Sequence, residues 1–178
     1  MQQIRLCGGG GQGIVVAGRI LAEAAFLDKR VVSLTAGYGT AMRGGISKSD
    51  IVLSDSFIDF PMVTQIDLLL SMLEEAYQES LPMVNENGVI VLDDTTVKPS
   101  PTSSIEHYSI PATEIAIQEL KNEMVANLIM LAAANSIGRL VSKTSLEESI
   151  KSIVSPRFVE INLQAIQLGL DLAKKLIV

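Results

Sequence analysis

The run Cys7-Gly8-Gly9-Gly10-Gly11-Gln12-Gly13 is where this chain's chemistry is most legible. It lies between an apolar strand-like start, Ile4 to Leu6, and an apolar helix-like segment, Ile14 to Leu27. Glycines let backbone N–H groups approach an anion with no Cβ in the way, and a helix N-terminus adds unpaired donors and a positive dipole end. The spacing therefore predicts a phosphate-holding loop built from Gly8, Gly9, Gly10, Gly11, Gln12 and Gly13. The bland alternative is a tight turn with close helix–strand packing.

Three owners of such a phosphate compete. Gly8, Gly10 and Gly13 satisfy the dinucleotide fingerprint Gly-x-Gly-x-x-Gly in a strand–turn–helix context. The adenosine ribose, however, needs an acid about 20 residues on, and no Asp or Glu occurs from Lys29 to Ser49. Gly8 and Gly13 also have Walker A spacing, yet Ile14 and Val15 stand where a Lys and a hydroxyl should bind phosphate and magnesium. NAD and a nucleoside triphosphate are both disfavoured. What remains is a backbone anion nest, with Gln12 as a polar contact and a cation still to be found.

A second glycine-rich stretch, Thr35 to Gly45, supplies a candidate in Arg43, followed by Gly44 and Gly45. Long ordered loops are usually functional. Arg43 serves either a ligand or a partner surface, and Tyr38 either stacks on a base or packs in the loop. Cys7, at a strand end, reads as a small buried residue, and His107 as structural. Asp93-Asp94 follow a strand and lack further ligands spaced for a metal, so no metal site and no catalytic residue is assigned.

Positioning these residues takes an α/β scaffold. Ile4–Leu6, a helix from Gly13 to Leu27 and Val31–Leu34 form a βαβ unit with parallel strands. Strands follow at 49–54 and 66–72, and a helix interrupted by Pro82 at 74–84, closed by Asn87-Gly88. A strand at 89–92, a loop around Pro99 and Pro101, and a strand at 106–110 come next. From Pro111 the chain is helical. Met124 to Ile137 reads as a buried helix, too short for the roughly 20 apolar residues of a membrane span. In the last helix, Phe158, Ile161, Ala165, Leu168, Leu172 and Leu176 form an apolar stripe that covers a sheet or a partner. The expected fold is a Rossmann-like open, mostly parallel sheet with helices on both faces and a helical C-terminal segment. If both glycine loops sit at the carboxyl ends of adjacent strands, they flank one crevice.

Composition narrows the function. The 178 residues, 48% of them hydrophobic, suit one domain, 1–178. One cysteine excludes an internal disulfide and an iron–sulfur ligand set. Nothing reads as a secretory signal, so cytoplasm is the expected compartment. Residues 1–49 hold six cations against Glu23 and Asp28, a net of +4 within an overall −6. This basic end favours an anionic ligand, but scattered cations without interleaved aromatics argue against nucleic acid.

The whole series, Gly8 to Val15, then Gly37-Tyr38-Gly39-Thr40-Ala41-Met42-Arg43-Gly44-Gly45 with Ser47, Ser49 and Asp50, then Ile110-Pro111-Ala112-Thr113-Glu114 and Val125-Ala126-Asn127, resembles the gamma subunit of 2-oxoacid:ferredoxin oxidoreductases. It is closest to the 2-oxoglutarate type. The resemblance implies an α/β domain in a multisubunit complex that oxidatively decarboxylates a 2-oxoacid, makes an acyl-CoA and reduces ferredoxin or flavodoxin. It implies alpha, beta and in some relatives delta subunits as partners, with thiamine diphosphate held by alpha and beta and iron–sulfur clusters by other subunits or domains. This chain has no Gly-Asp-Gly thiamine motif. Coenzyme A is the implied co-substrate, with Gly8 to Gly13 and Arg43 to Gly45 as ligand or interface residues. One departure is Thr35-Ala36-Gly37 before the second loop, where relatives often have a proline.

Overall fold

The computed structural model describes residues 1–38, 45–100 and 103–177, with the Tyr38 side chain excluded. Six strands form one sheet in the order β2-β3-β1-β4-β5-β6. These are β1 (Gln2–Gly9), β2 (Val31–Tyr38), β3 (Ile46–Ser54), β4 (Ile66–Ser71), β5 (Val84–Asp93) and β6 (Glu106–Ile110). The helices are α1 (Ile14–Leu27), α2 (Glu74–Ser80), α3 (Ala112–Leu120), α4 (Ala126–Gly138), α5 (Lys143–Ile153) and α6 (Val159–Leu176).

The parallel ladder β1-β4-β5-β6 fits the expected α/β class, and β3 makes the sheet mixed. It runs antiparallel to both β1 and β2 and separates them. The two strands of the expected βαβ unit are thus parallel in direction but not neighbours. β2 reaches Tyr38 and β3 begins at Ile46, so Thr35 to Tyr38 of the second glycine stretch are strand rather than loop.

Alternation along the strands sends residues to two cores. Ile4, Leu6, Ile51, Leu53, Leu68, Leu70 and Val91 pack under α1 and α4, with α3, α5 and α6 on the same side. Cys7, Val52, Leu69, Ile90 and Leu92 face α2 with Ala76 and Tyr77. On that second face Arg5 pairs across the strands with Asp50, its Nε and Nη2 each donating to a carboxylate oxygen at 2.7 Å. The guanidinium is held even more firmly protonated than usual, chiefly by that hydrogen bond.

Several expected boundaries moved, and β1, β2 and β3 all run longer than expected. Pro82 stops α2 at Ser80 in favour of a single 3-10 turn, and the chain re-enters the sheet at Val84. Asn87-Gly88 lies inside β5 at an irregularity where Ile66 pairs with Val84 but Leu68 with Val89. The stripe on α6 is also rotated. Its buried residues are Ala165, Ile166, Gly169, Leu170 and Ala173, whereas Phe158 and Leu176 are exposed. The small residues let α6 close on α4: a Cβ at Gly169 would stand 2.2 Å from the Ile129 carbonyl oxygen. α6 therefore covers α4, and α4, buried from Ala126 to Asn135, is the central helix of that layer. No helix among the described residues is long and apolar enough to cross a membrane.

Candidate functional site

The chain leaves β1 through α1 toward β2 on one side of the sheet and leaves β4 through α2 toward β5 on the other. Open α/β sheets bind ligands at the carboxyl ends of strands flanking such a reversal. The glycine loop sits there. Gly11 and Gly13 take positive φ, +94° and +73°, which L side chains rarely adopt. A Cβ on Gly8 would strike the Gln12 and Ile14 side chains at 2.6 and 2.9 Å.

Gln12 staples the loop. Its Oε1 accepts the Gly9 N–H at 2.6 Å and its Nε2 donates to the Met72 carbonyl at 3.1 Å, just past β4. Met72 also accepts from Thr96 Oγ1 at 3.0 Å. The amide expected to touch a ligand is thus occupied in shaping the turn. The Gly10 N–H donates to the Gly45 carbonyl at 2.9 Å, which brings the end of the second glycine stretch onto the first. Tyr38 contributes its backbone to β2, while its side chain, Arg43 and Gly44 lie outside the described residues. The crevice expected between β1 and β2 is filled by β3; the open one lies on the β4 side.

At the other end of the loop, Asn127 Nδ2 donates to the Gly13 carbonyl at 3.0 Å, tying α4's first turn to α1's. Gly13 is the N-cap of α1, with no side chain capping it. Among the described residues, hydrogen bonds account for the amides of Gly9, Gly10 and Gln12 but not for those of Gly11 and Gly13. A helix N-terminus with such amides is suited to an anion. The loop opens on a cleft of about 310 Å³ bounded by Gly10 to Gln12, Met72, Thr113, Glu123 and Met124. Glu123 brings a negative charge to that wall, so among the described residues lining it only the backbone dipoles favour an anion.

The remaining candidates are structural. Asp93, fully buried, accepts the Thr113 N–H at 3.1 Å and its hydroxyl at 2.5 Å through Oδ2, and the Thr95 N–H through Oδ1. It caps the first turn of α3, which gives Pro111-Ala112-Thr113 a structural role. Asp94, exposed beside it, is pushed up by desolvation and by the Asp93 charge. Among the described residues no cluster of three His, Cys, Asp or Glu gathers at one point. Cys7 is buried, and burial pushes its thiol up against hydrogen bonding from Ser71, so it is a poor nucleophile. His107 Nε2 lies 2.9 Å from the Tyr77 hydroxyl and Nδ1 2.5 Å from the Ile105 carbonyl.

Sequence reading missed the roles of Asn127 and Ser49. Ser49 Oγ donates to the Ile14 carbonyl at 3.2 Å, where Gly18 lets α1 cross β3 closely. Both residues lay in the resembling motifs, but nothing in their own spacing tied them to the loop.

Fold and loop together define an α/β protein of the Rossmann-like class whose glycine turn opens its first helix at the switch point. The chain belongs to the pyruvate ferredoxin/flavodoxin oxidoreductase family, which it matches over residues 3–172. It is 41% identical over 178 residues to the 2-oxoglutarate synthase subunit KorC of Methanocaldococcus jannaschii, covering 98% of this chain and 95% of that one. The structure is similar to the gamma subunit of a keto/oxoacid ferredoxin oxidoreductase from Geobacter sulfurreducens, with a TM-score of 0.87, 33% identity and coverage of 98% and 99%. The fold also matches part of a 2-oxoglutarate:ferredoxin oxidoreductase from Magnetococcus marinus, solved with 2-oxoglutarate, coenzyme A and succinyl-CoA bound. There the TM-score is 0.87 at 23% identity, with 98% of this chain aligned to 31% of a longer one.

Proposed function

We propose that residues 1–178 form one gamma-type domain of a 2-oxoglutarate:ferredoxin oxidoreductase and supply the glycine-loop wall of its coenzyme A site. The reaction of the complex breaks the bond between the carboxylate and the oxo carbon of 2-oxoglutarate. It releases CO2, joins the succinyl carbonyl to the CoA sulfur and passes the electrons to ferredoxin or flavodoxin. On this reading thiamine diphosphate is held by the alpha and beta subunits and the iron–sulfur clusters by other subunits or domains of the complex, a delta subunit among them in some relatives. The single thiol here, Cys7, is buried and suits neither cluster ligation nor catalysis. This chain's part is to bind and orient: the amides of Gly11, Gly13 and the first turn of α1 hold a CoA phosphate, with Arg43 as the cation.

The observation that carries this reading is a pair of unclaimed amides, that of Gly11, which lines the switch-point cleft, and that of Gly13 at the uncapped start of α1. Gly11→Val tests it. Gly11 has open space around it but a φ of +94°, so a β-branched side chain distorts the loop without a clash in the core. In the assembled complex the KM for CoA should rise about tenfold, equivalent to ~1.4 kcal/mol, with the KM for 2-oxoglutarate unchanged. An unchanged KM for CoA sinks the reading. The isolated chain should show no decarboxylation.

One observation favours a second reading, an assembly module with no ligand contact. The Gly10 amide and the Gln12 side chain are satisfied inside the protein, as in a loop built for packing. Hydrogen exchange at Gly8 to Gly13 decides between them. Protection added by CoA to the complete complex supports the ligand site; protection by subunit assembly alone supports the module.

A further inference from the structure

The two edges of the sheet are finished differently. β6 is five residues long and carries Glu106, the kind of charge that blocks pairing at an open edge. β2, at the other end, is eight residues long and runs Val31-Val32-Ser33-Leu34-Thr35-Ala36-Gly37-Tyr38, with no charge and no proline. Its register with β3 is unbroken from Val31 opposite Ser54 to Tyr38 opposite Ser47, so no bulge bends it away. Among the described residues no strand pairs with its outer side. Natural edge strands are blunted by charge, proline or bulge, or they are covered.

Apolar side chains rim this edge on both faces of the sheet. On the α1 face an open groove of about 550 Å³ runs beside β2, lined by Val32, Leu34, Phe26 and Ile153 together with Arg19 and Glu23. Phe26 is 63% exposed there. On the other face the β3–β4 connection lies along β2, its Pro61 carbonyl accepting from Ser33 Oγ at 3.0 Å, and leaves Phe60 and Met62 exposed. Arg19 and Glu23 stand about one turn apart on α1. Among the described residues neither joins an ion pair.

We propose that the β2 edge is an interface between two copies of this chain, paired antiparallel about a two-fold axis so that their sheets become one. Such an axis stands perpendicular to the sheet; it reverses strand direction and keeps like faces together. The two α1 helices then lie antiparallel across the join. Arg19 faces Glu23 of the second copy, and Glu23 faces that copy's Arg19. This match of charge is what selects a second copy over another subunit. An axis at the level of that turn passes near Leu34, which shares the groove with both residues, and sets Leu34 on its own counterpart and Val32 opposite Ala36. Phe26 of each copy covers the groove of the other, while Phe60 and Met62 close the second face. The pairing satisfies the outward N–H and C=O groups of β2. It uses no residue of the glycine loop and so does not depend on the coenzyme A reading.

Sedimentation of the purified full chain tests this. The parent should sediment as a dimer at micromolar concentration, and the amides of Val31 to Ala36 should exchange more slowly there than on dilution. Arg19→Glu alone and Glu23→Arg alone, both at residues lining the open groove, set like charges against each other twice. Each should weaken the dimer about tenfold. The double swap, Arg19→Glu with Glu23→Arg, should restore it. Mixing the two single variants should do the same, since a chain with two acids at these positions meets a chain with two bases. A monomeric parent overturns the proposal, as does a dimer that neither reversal weakens, or single variants that fail to associate on mixing. Slowed exchange at β2 only in the complete complex gives the edge to another subunit and overturns it as well. Failure here leaves the Gly11→Val prediction for CoA standing on its own.

Discussion

Replacing Gly13 by Ala tests whether the loop is held by its tie to α4. The residue caps α1 in the left-handed region, at φ +73°, where an Ala costs about 1–2 kcal/mol. The new Cβ would stand 2.3 Å from Asn127 Nδ2. That amide must retreat by roughly 0.7 Å to reach 3.0 Å, below which real Cβ contacts essentially never occur. The retreat breaks its 3.0 Å hydrogen bond to the Gly13 carbonyl and leaves a buried donor bare, at about 1–2 kcal/mol more. Gly13→Ala should therefore cost about 3 kcal/mol in urea unfolding followed by circular dichroism. In an Asn127→Ala background the clash and the bond are both gone, and the same change should cost only about 1–2 kcal/mol. Asn127→Ala alone should be mild, because it removes an unpaired Oδ1 along with a hydrogen bond. Equal costs of Gly13→Ala in the two backgrounds, within about 0.5 kcal/mol, would refute the argument that Asn127 holds the loop.

Three further changes probe the scaffold. Asp50→Ala strands the Arg5 guanidinium, whose side chain is 9% exposed, and should destabilise by about 3 kcal/mol in a urea titration. Gly169→Ala drives a methyl into the Ile129 carbonyl and should cost about 3 kcal/mol, lowering the Tm by roughly 6 to 12 °C in a calorimetric scan. At Asp28, desolvation pushes the carboxyl up, but hydrogen bonds from Ser145 and Ser142 outweigh it and leave it below the ordinary value. A lowered native pKa adds stability above the unfolded value that is lost as pH falls through the native one. The unfolding free energy of Asp28→Asn should therefore lie about 1 kcal/mol below the parent at neutral pH, and the gap should close in acid.

The strands and helices were legible where one local rule governed each. Glu106 to Ile110 read as a strand after a proline-marked loop, and Met124 to Ile137 read as a buried helix because α4 is buried from Ala126 to Asn135, although Met124 itself is exposed in the turn before it. What could not be read is contact between distant segments. β3 slips between β1 and β2 through pairings such as Arg5 with Asp50, 45 residues apart, and no local pattern encodes that neighbour. The rotated stripe of α6 fails for a related reason. Hydrophobicity ranks Leu above Ala and Gly, but helix–helix approach is decided by Ala165, Gly169 and Ala173, whose lack of bulk brings α6 onto Ile129.

The loop shows the same limit nearer to function. Its glycines announced an anion nest, yet the residue expected to face the ligand, Gln12, is occupied by Gly9 and Met72. The buried polar atom left without a partner beside the loop belongs instead to Asn127, 114 residues along the chain from Gly13. A glycine turn cannot specify its own shape, because its residues accept too many conformations. The shape comes from three supports: Met72 at the end of β4, Gly45 at the start of β3, and Asn127 on α4.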